Sequence, residues 1–418
     1  MRRAHNRTTH RSRIEQETLE LNPLVFGRMA IASSAAIGID ATVAALRGRR
    51  TGLAPCAFET AQLQTCVGQV ADANLLPVRG DLAEFDCRNN RLAQLGLTQD
   101  GFEEAVLEAR ERYGAGRIGV FLGTSTSGIH STELAYRRRD ERSGALPADF
   151  HYGATHNTYS VAWFVQSYLG LRGPSLVVST ACSSSAKVFG TAARTIAAGL
   201  CDAAVVGGVD SLCLTTLYGF GSLGLLSAGY CRPFDSGRDG ISIGEGAGFI
   251  LLEKPVANSA ADAVALLGVG ESSDAYHMSS PHPDGLGARL AMESALRDAR
   301  LAPGAIEYIN LHGTGTPAND ATEDKAVVEL FGTKTRCSST KGWTGHTLGA
   351  CGAIEAIISA LALGNDFLPG SVNTQNVDAA MRLRYLLENE ARSVDRVMSN
   401  AFGFGGTNCS LVIGRAGH

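Results

Sequence analysis

Cys182 is set apart from the other cysteines by what surrounds it. It ends the run SLVVSTAC, whose apolar first part reads as a buried strand, and it is followed by Ser183, Ser184 and Ser185 and then by the small-residue helical pattern AKVFGTAARTIAAGL. A cysteine just ahead of a helix meets unpaired amides and the positive end of the helix dipole, which favour a thiolate and therefore a nucleophile. A small buried thiol beside a helix start fits the same context, and local sequence leaves both readings open.

His312 in LHGTGTP and His346 in KGWTGHTLGACG are both flanked by Gly and Thr, residues of tight loops that let backbone and ligand approach closely. A cysteine with two histidines points to acyl transfer through a thioester, with neutral imidazoles donating hydrogen bonds to a developing enolate or oxyanion. Cys/His hydrolysis is the competitor. Against it stand the second histidine and Lys341, where a hydrolase would be expected to use Asn or Asp as an orienting third member.

The Gly-rich FGFGGTN (402–408) is a weak phosphate-loop signal, and neither GxxxxGK[ST] nor a dinucleotide fingerprint occurs. Its better use is to present a backbone amide beside a thioester carbonyl, with Phe404 covering the site. The remaining cysteines, at 56, 66, 87, 201, 213, 231, 337, 351 and 409, form no CxxC pair, so neither a metal site nor a disulfide framework is indicated. Buried reduced thiols of a cytoplasmic protein are the expectation.

The elements that must hold these residues alternate. A strand and helix open at residue 24. An amphipathic helix covers 100–113, opened by Asp100, and 117–128 is a buried strand running into a small-residue loop. Segment 129–150, with Arg137, Arg138, Arg139 and Arg142, reads as an exposed excursion. Strand 175–185, helix 186–200 and strand 202–211 then imply a parallel sheet. A second half repeats this grammar from about 262, through a helix at 286–300, a strand at 306–316, a helix at 321–331 and the segments 337–363 and 397–414. We therefore expect a layered α/β body with internal duplication, divided into a flexible extension (1–23), a half bearing the cysteine (24–258) and a half bearing both histidines (259–418).

Composition agrees. The chain has 418 residues, 44% hydrophobic and 19% charged, with a formal net charge of −4, which excludes intrinsic disorder and gives no attraction to nucleic acid. The basic start, MRRAHNRTTHRSR, is not followed by the apolar region of a secretion signal, and no uninterrupted apolar run approaches the ~18–20 residues of a membrane span.

Together STACSSSA, YINLHGTGTPAND, STKGWTGHTLGACG and SNAFGFGGTN resemble the motifs of the elongating β-ketoacyl-[acyl carrier protein] synthases, in the right order, within a match running from residue 25 to 414. The resemblance implies the thiolase-like five-layered αβαβα fold and decarboxylative Claisen condensation of malonyl-carrier with a chain bound to Cys182. It implies that His312 and His346 hold the malonyl thioester carbonyl, that Lys341 orients the histidine loop and sets local charge, and that Thr314 and Thr316 border the malonyl carboxylate. The amides of Cys182 and Phe404 would form an oxyanion hole, with Phe404 as gate and Phe402 beside it. Glu323 would support the loop. Asn310, Glu355, Ser399 and Asn400 occupy positions that surround a structural monovalent cation in this family.

Paired histidines argue against the initiating synthases, the terminal motif argues against thiolases, and an intact Cys182 argues against a chain-length factor. CRNNRLAQLGL, GTSTSGIH and TACSSSA look most similar to ketosynthases of aryl-polyene and highly reducing type II polyketide systems. Housekeeping fatty-acid elongation and a non-catalytic scaffold are the alternatives. The implied partners are an acidic acyl carrier protein, touched by Arg137, Arg138, Arg139 and Arg142, and a chain-length-factor-like subunit or a second copy. No cofactor is implied beyond the phosphopantetheine arm that the carrier brings.

Overall fold

The computed structural model describes residues 22–255 and 263–417. The expected division at 258/259 and most of the extension 1–23 lie outside the described residues. The principal strands are β1 (Leu24–Ser33), β2 (Ile118–Gly123), β3 (Ser175–Val178), β4 (Ala203–Asp210) and β5 (Gly246–Glu253), then β6 (Val264–Ser273), β7 (Tyr308–Asn310), β8 (Arg336–Ser338), β9 (Arg396–Gly403) and β10 (Thr407–Arg415).

The spatial order in the first half is β1-β5-β4-β2-β3, and in the second it is β6-β10-β9-β7-β8, with the two-residue strand Arg384–Tyr385 beyond β8. Each half thus runs first, fifth, fourth, second, third, so the duplication expected from sequence grammar is written in the topology. The expected parallel pairing holds for β2 with β3 and β4, and again for β7 with β8 and β9. Arg384–Tyr385 also pairs parallel with β8, and the remaining neighbours in each half are antiparallel, so the sheets are mixed. The halves share one corner, where Leu24 and Val25 pair with Leu266 and Ala265.

Alternation along the strands explains the layers, because successive side chains point to opposite faces. In β2, Val120 and Leu122 pack outward with α1 (Arg88–Leu97), α2 (Phe102–Tyr113) and α3 (Ser160–Tyr168), whereas Phe121 packs inward. Between the sheets lie α4 (Ser184–Ala197) and, later in the chain, the helix Cys351–Gly364, whose Ile354 and Ile357 join Phe121 and Val206 of one sheet and Val397 and Leu411 of the other. The second sheet is covered outside by α5 (Leu286–Asp298) and α6 (Pro317–Phe331), through Met292, Leu296 and Val327. Helix Cys351–Gly364, hereafter α7, is buried on every face through Leu363, as suits a helix apolar nearly all round, with Glu355 and Ser359 its polar exceptions. Its Gly352 lets α4 approach so closely that a Cβ would stand 2.4 Å from the Ala186 amide.

Two expectations change. Asp100, itself left-handed at φ 58°, does not open its own helix: its carboxylate accepts the Ile39 N–H at 2.9 Å and so serves the helix Ile39–Arg47. Part of the excursion at 129–150 is helical, Ile129–Arg137, because Ala135 is buried there. The closing segment 397–414 is a hairpin, turned by Gly405 and Gly406 at φ 80° and 71°. Among the described residues no helix is long and apolar enough to cross a membrane.

Candidate active site

The duplication places Cys182 and His346 at corresponding points, each after the third strand of its half and ahead of a buried middle helix, α4 or α7. The turn into α4 is tight. Ala181 takes φ 51°, a left-handed conformation costly for a residue with a Cβ, and it pushes the Cys182 side chain out of the strand line. Ser184 Oγ accepts the Thr180 N–H at 2.8 Å and donates to Ala181 O at 2.5 Å, and Ser183 Oγ donates to Thr180 O at 2.9 Å. The serines therefore pin the turn instead of capping the helix.

His346 Nε2 lies 3.0 Å from Cys182 Sγ. The rings of His312 and His346 meet edge to face with centroids 5.2 Å apart, and one ligand atom from each of Cys182, His312 and His346 falls within 4.8 Å of the others. His312 leaves the end of β7, and its loop is gathered by Glu323 of α6, which accepts the N–H groups of His312 and Gly313, both at 2.8 Å. Lys341 and Glu355 form a fully buried pair, Nζ to Oε1 at 2.5 Å.

Burial and charge set the protonation states. Burial holds both imidazoles well below their usual pKa, and the Lys341 ammonium pushes the same way, so both are neutral at pH 7. Neither Nδ1 has a partner, and His346 Nε2 faces the sulfur. The resting thiolate expected from the helix start is overturned: burial pushes the Cys182 thiol up to about 12, against the lowering effects of Lys341 and the Phe404 N–H. Burial also lifts Glu323 and Glu355 to about 7.

Three soft ligands this close could also hold a divalent metal. The positive field of Lys341, which opposes protonation of both histidines, opposes a dication as well. For the monovalent cation, Asn310 and Ser399 stand opposite each other in register, Asn310 Nδ2 donates to the Glu355 main-chain oxygen at 3.5 Å, and Glu355 Oε2 is buried without a partner. That orphaned oxygen fits a small cation. The Asn400 side-chain oxygen instead accepts Ser410 Oγ at 2.8 Å.

A cavity of about 280 Å³ opens onto Cys182, His312 and His346, and Thr314, Thr316, Phe402 and Phe404 all line it. Phe402 rests against His312, and Phe404 packs at a tilt against Phe220, a residue the sequence reading missed. Thr314 and Thr316 join hydroxyls at 2.8 Å. The four arginines stand elsewhere. Arg138 lines a second depression with Arg88, His130 and Asp149, Arg137 and Arg138 pair with Glu59 and Asp149, and Arg139 and Arg142 are exposed. Asp210 was also missed, although a lone carboxylate ending the apolar run AAVVGGV was a visible signal.

A buried cysteine shares a cleft with two neutral histidines, an arrangement suited to acyl transfer through a thioester. Residues 88–257 match the sequence pattern of the β-ketoacyl synthase N-terminal domain, and residues 264–375 that of the C-terminal domain. The chain belongs to the β-ketoacyl synthase family. It is an acyltransferase, a ketosynthase. The 3-oxoacyl-[acyl-carrier-protein] synthase 2 of Vibrio cholerae is 37% identical over 329 residues, covering 75% of this chain and 79% of the relative. The ketosynthase ApeO of Xenorhabdus doucetiae, solved in complex with its chain length factor ApeC, superposes with a TM-score of 0.85 at 38% identity, covering 94% of this chain and 98% of that one. The ishigamide ketosynthase/chain length factor gives 0.84 at 26% identity, covering 94% and 99%. The five-layered ketosynthase fold is thus shared along nearly the whole chain.

Proposed function

We propose that this ketosynthase condenses malonyl-carrier with an acyl chain on Cys182 in a highly reducing type II system that builds polyenes, working beside a chain-length-factor-like subunit. The observation that carries the chemistry is the 3.0 Å contact between His346 Nε2 and Cys182 Sγ in a cleft shared with neutral His312. Likeness to ApeO, solved with its chain length factor, supports the partner, and the likeness of CRNNRLAQLGL, GTSTSGIH and TACSSSA to aryl-polyene ketosynthases suggests the pathway.

In this reading the Cys182 sulfur attacks the thioester carbonyl of an acyl carrier protein, and the carrier thiol leaves with the proton from Cys182. Malonyl-carrier follows on its own phosphopantetheine arm, the only prosthetic group the reaction uses. Thr314 and Thr316 border the malonyl carboxylate, and the Nε2–H groups of His312 and His346 donate to the thioester carbonyl. The bond to CO2 breaks, its electron pair becomes the enolate, and neutral imidazoles stabilise that charge without protonating it. The carbanion attacks the Cys182 thioester. The N–H groups of Cys182 and Phe404 hold the tetrahedral oxyanion until the sulfur leaves as thiolate, releasing a 3-oxoacyl-carrier two carbons longer, and a proton from water restores the resting thiol.

Lys341 acts at a distance, holding both histidines neutral and easing loss of the thiol proton. A monovalent cation would be held by Glu355, Asn310 and Ser399 and would add fixed positive charge behind the histidine loops. Arg137, Arg138, Arg139 and Arg142 would meet the acidic carrier, Arg139 and Arg142 being the more available. Ten free cysteines suit a reducing cytoplasm.

Intact-protein mass spectrometry tests the proposal. Wild type exposed to acyl-carrier thioesters gains one acyl mass, Cys182→Ala gains none, and addition of malonyl-carrier yields the β-keto product. Polyenoyl chains should elongate in preference to saturated ones when the chain-length-factor-like subunit is present. Equal use of saturated chains would return the enzyme to general fatty-acid elongation, and a folded wild type that takes no acyl group with or without the partner would leave a scaffold.

A further inference from the structure

Asp210, the last residue of β4, is fully buried and has a set of donors unlike any surface carboxylate. It accepts Thr124 Oγ1 at 2.7 Å, Ser125 N–H at 2.8 Å and Oγ at 2.5 Å, and Thr126 N–H and Oγ1, both at 2.9 Å. From the other half of the molecule it accepts the Gly349 N–H at 2.5 Å. One carboxylate therefore ties the loop after β2 to the loop that carries His346. Charge-assisted bonds of this kind are roughly twice as strong as neutral ones.

The geometry around Gly349 leaves no slack. A Cβ there would stand 2.8 Å from both Asp210 Oδ2 and the Ser125 nitrogen. On its other side the His346 loop is fixed to the strand-like segment 242–244, His346 N–H to Ser242 O at 2.7 Å and Gly244 N–H to His346 O at 2.9 Å. Asp210 is the counterpart of that anchor. The duplication also makes it the counterpart of the end of β9, where the Phe404 amide is delivered. Just as Glu323 gathers the His312 loop, Asp210 gathers the His346 loop.

We infer that Asp210 is a positioning residue of the condensation: its carboxylate sets the approach of His346 Nε2 to Cys182 Sγ across the two halves. This rests on the proposed reaction, and it adds a residue that touches neither substrate nor sulfur. Its charge has a second effect. Cys182 is faced by Lys341 and its partner Glu355, by His312 and His346, by Cys351, whose thiol donates to Cys182 O at 3.1 Å, and by Asp210, which opposes loss of the thiol proton as Glu355 does.

Two variants and two readouts test the assignment. Asp210→Asn is nearly isosteric but turns one acceptor into a donor aimed at N–H groups. It should lower condensation turnover about tenfold or more, in line with the cost of a misplaced catalytic group, while the pH midpoint of Cys182 alkylation by iodoacetamide moves to lower pH. A merely damaged core would slow both reactions and would not move that midpoint downward. Gly349→Ala pushes the loop off the carboxylate and keeps the charge, so turnover should fall with the midpoint unmoved. Wild-type turnover in either variant, or an unmoved midpoint in Asp210→Asn, overturns the inference, and Gly349→Ala decides alone if Asp210→Asn does not fold. Failure of the wild type to condense carrier thioesters would instead overturn the proposed function, leaving the alkylation midpoint of Asp210→Asn to judge Asp210.

Discussion

The two histidines carry a stability signature beside the catalytic role proposed for them. Their folded pKa values are well below 6.5, the value each regains on unfolding, so the unfolded chain binds protons that the native chain refuses. Stability from this source is present above about pH 6.5 and is lost as pH falls. Glu323 and Glu355, raised to about 7, act in the opposite sense, favouring the native chain at low pH and ceasing to do so as pH rises through 7. A comparison isolates the histidines: the melting temperature of wild type should fall more steeply from pH 7 to pH 5 than that of the His312→Gln, His346→Gln double variant. Parallel curves would show that the imidazoles are not buried as neutral groups. The chemistry-bearing types Cys182, His312, Lys341 and His346 could be picked out from residue identity and loop context. The protonation of Cys182 could not, because the helix start argued for a thiolate and burial outweighs it.

At the scale of elements, the site depends on how closely α4 and α7 lie together. Ser185 Oγ accepts the Ala353 N–H at 2.9 Å, and Gly352 faces the Ala186 backbone, so the helices that start beside Cys182 and His346 touch at their first turns. Gly352→Ala should separate them. We expect a loss of about 1–3 kcal/mol from overpacking, read by chemical denaturation, together with a fall in turnover that exceeds any change in acyl loading. An unchanged midpoint of denaturation would show that α4 and α7 have room to spare. Small residues in AKVFGTAARTIAAGL and in LGACGAIEAIISALAL made close packing legible in advance. The helix ends were less so: Asp100 reads as the cap of its own helix because its true partner, Ile39, is far off in sequence.

For the whole molecule, the half that carries Cys182 exposes Tyr136, Tyr152, Tyr159 and, at 42%, Trp163, and its sheet ends on the apolar β3. Exposed apolar patches and sheet edges of this kind mark surfaces that another chain covers. The chain has two tryptophans, and Trp343 is fully buried, so Trp163 alone can report. Adding the chain-length-factor-like subunit should shift tryptophan emission to shorter wavelength, and Trp163→Phe should abolish the shift. Emission that does not change on complex formation would place the partner on another face.

Residue identity and order alone pointed to two similar α/β halves and marked Cys182, His312 and His346 as the candidates for chemistry, because buried strands, small-residue helices and Gly/Thr loops impose local patterns that survive in one dimension. Motifs in order then carried the family. Tertiary structure decided what depends on distance: that Cys182 and His346 start two touching helices, that Glu323 and Asp210 hold the histidine loops, that the sheets are mixed, and that Phe220 backs Phe404. A carboxylate such as Asp210 looks ordinary in sequence. Its donors come from positions 124–126 and 349, and only a fold that brings these segments together gives the carboxylate its task.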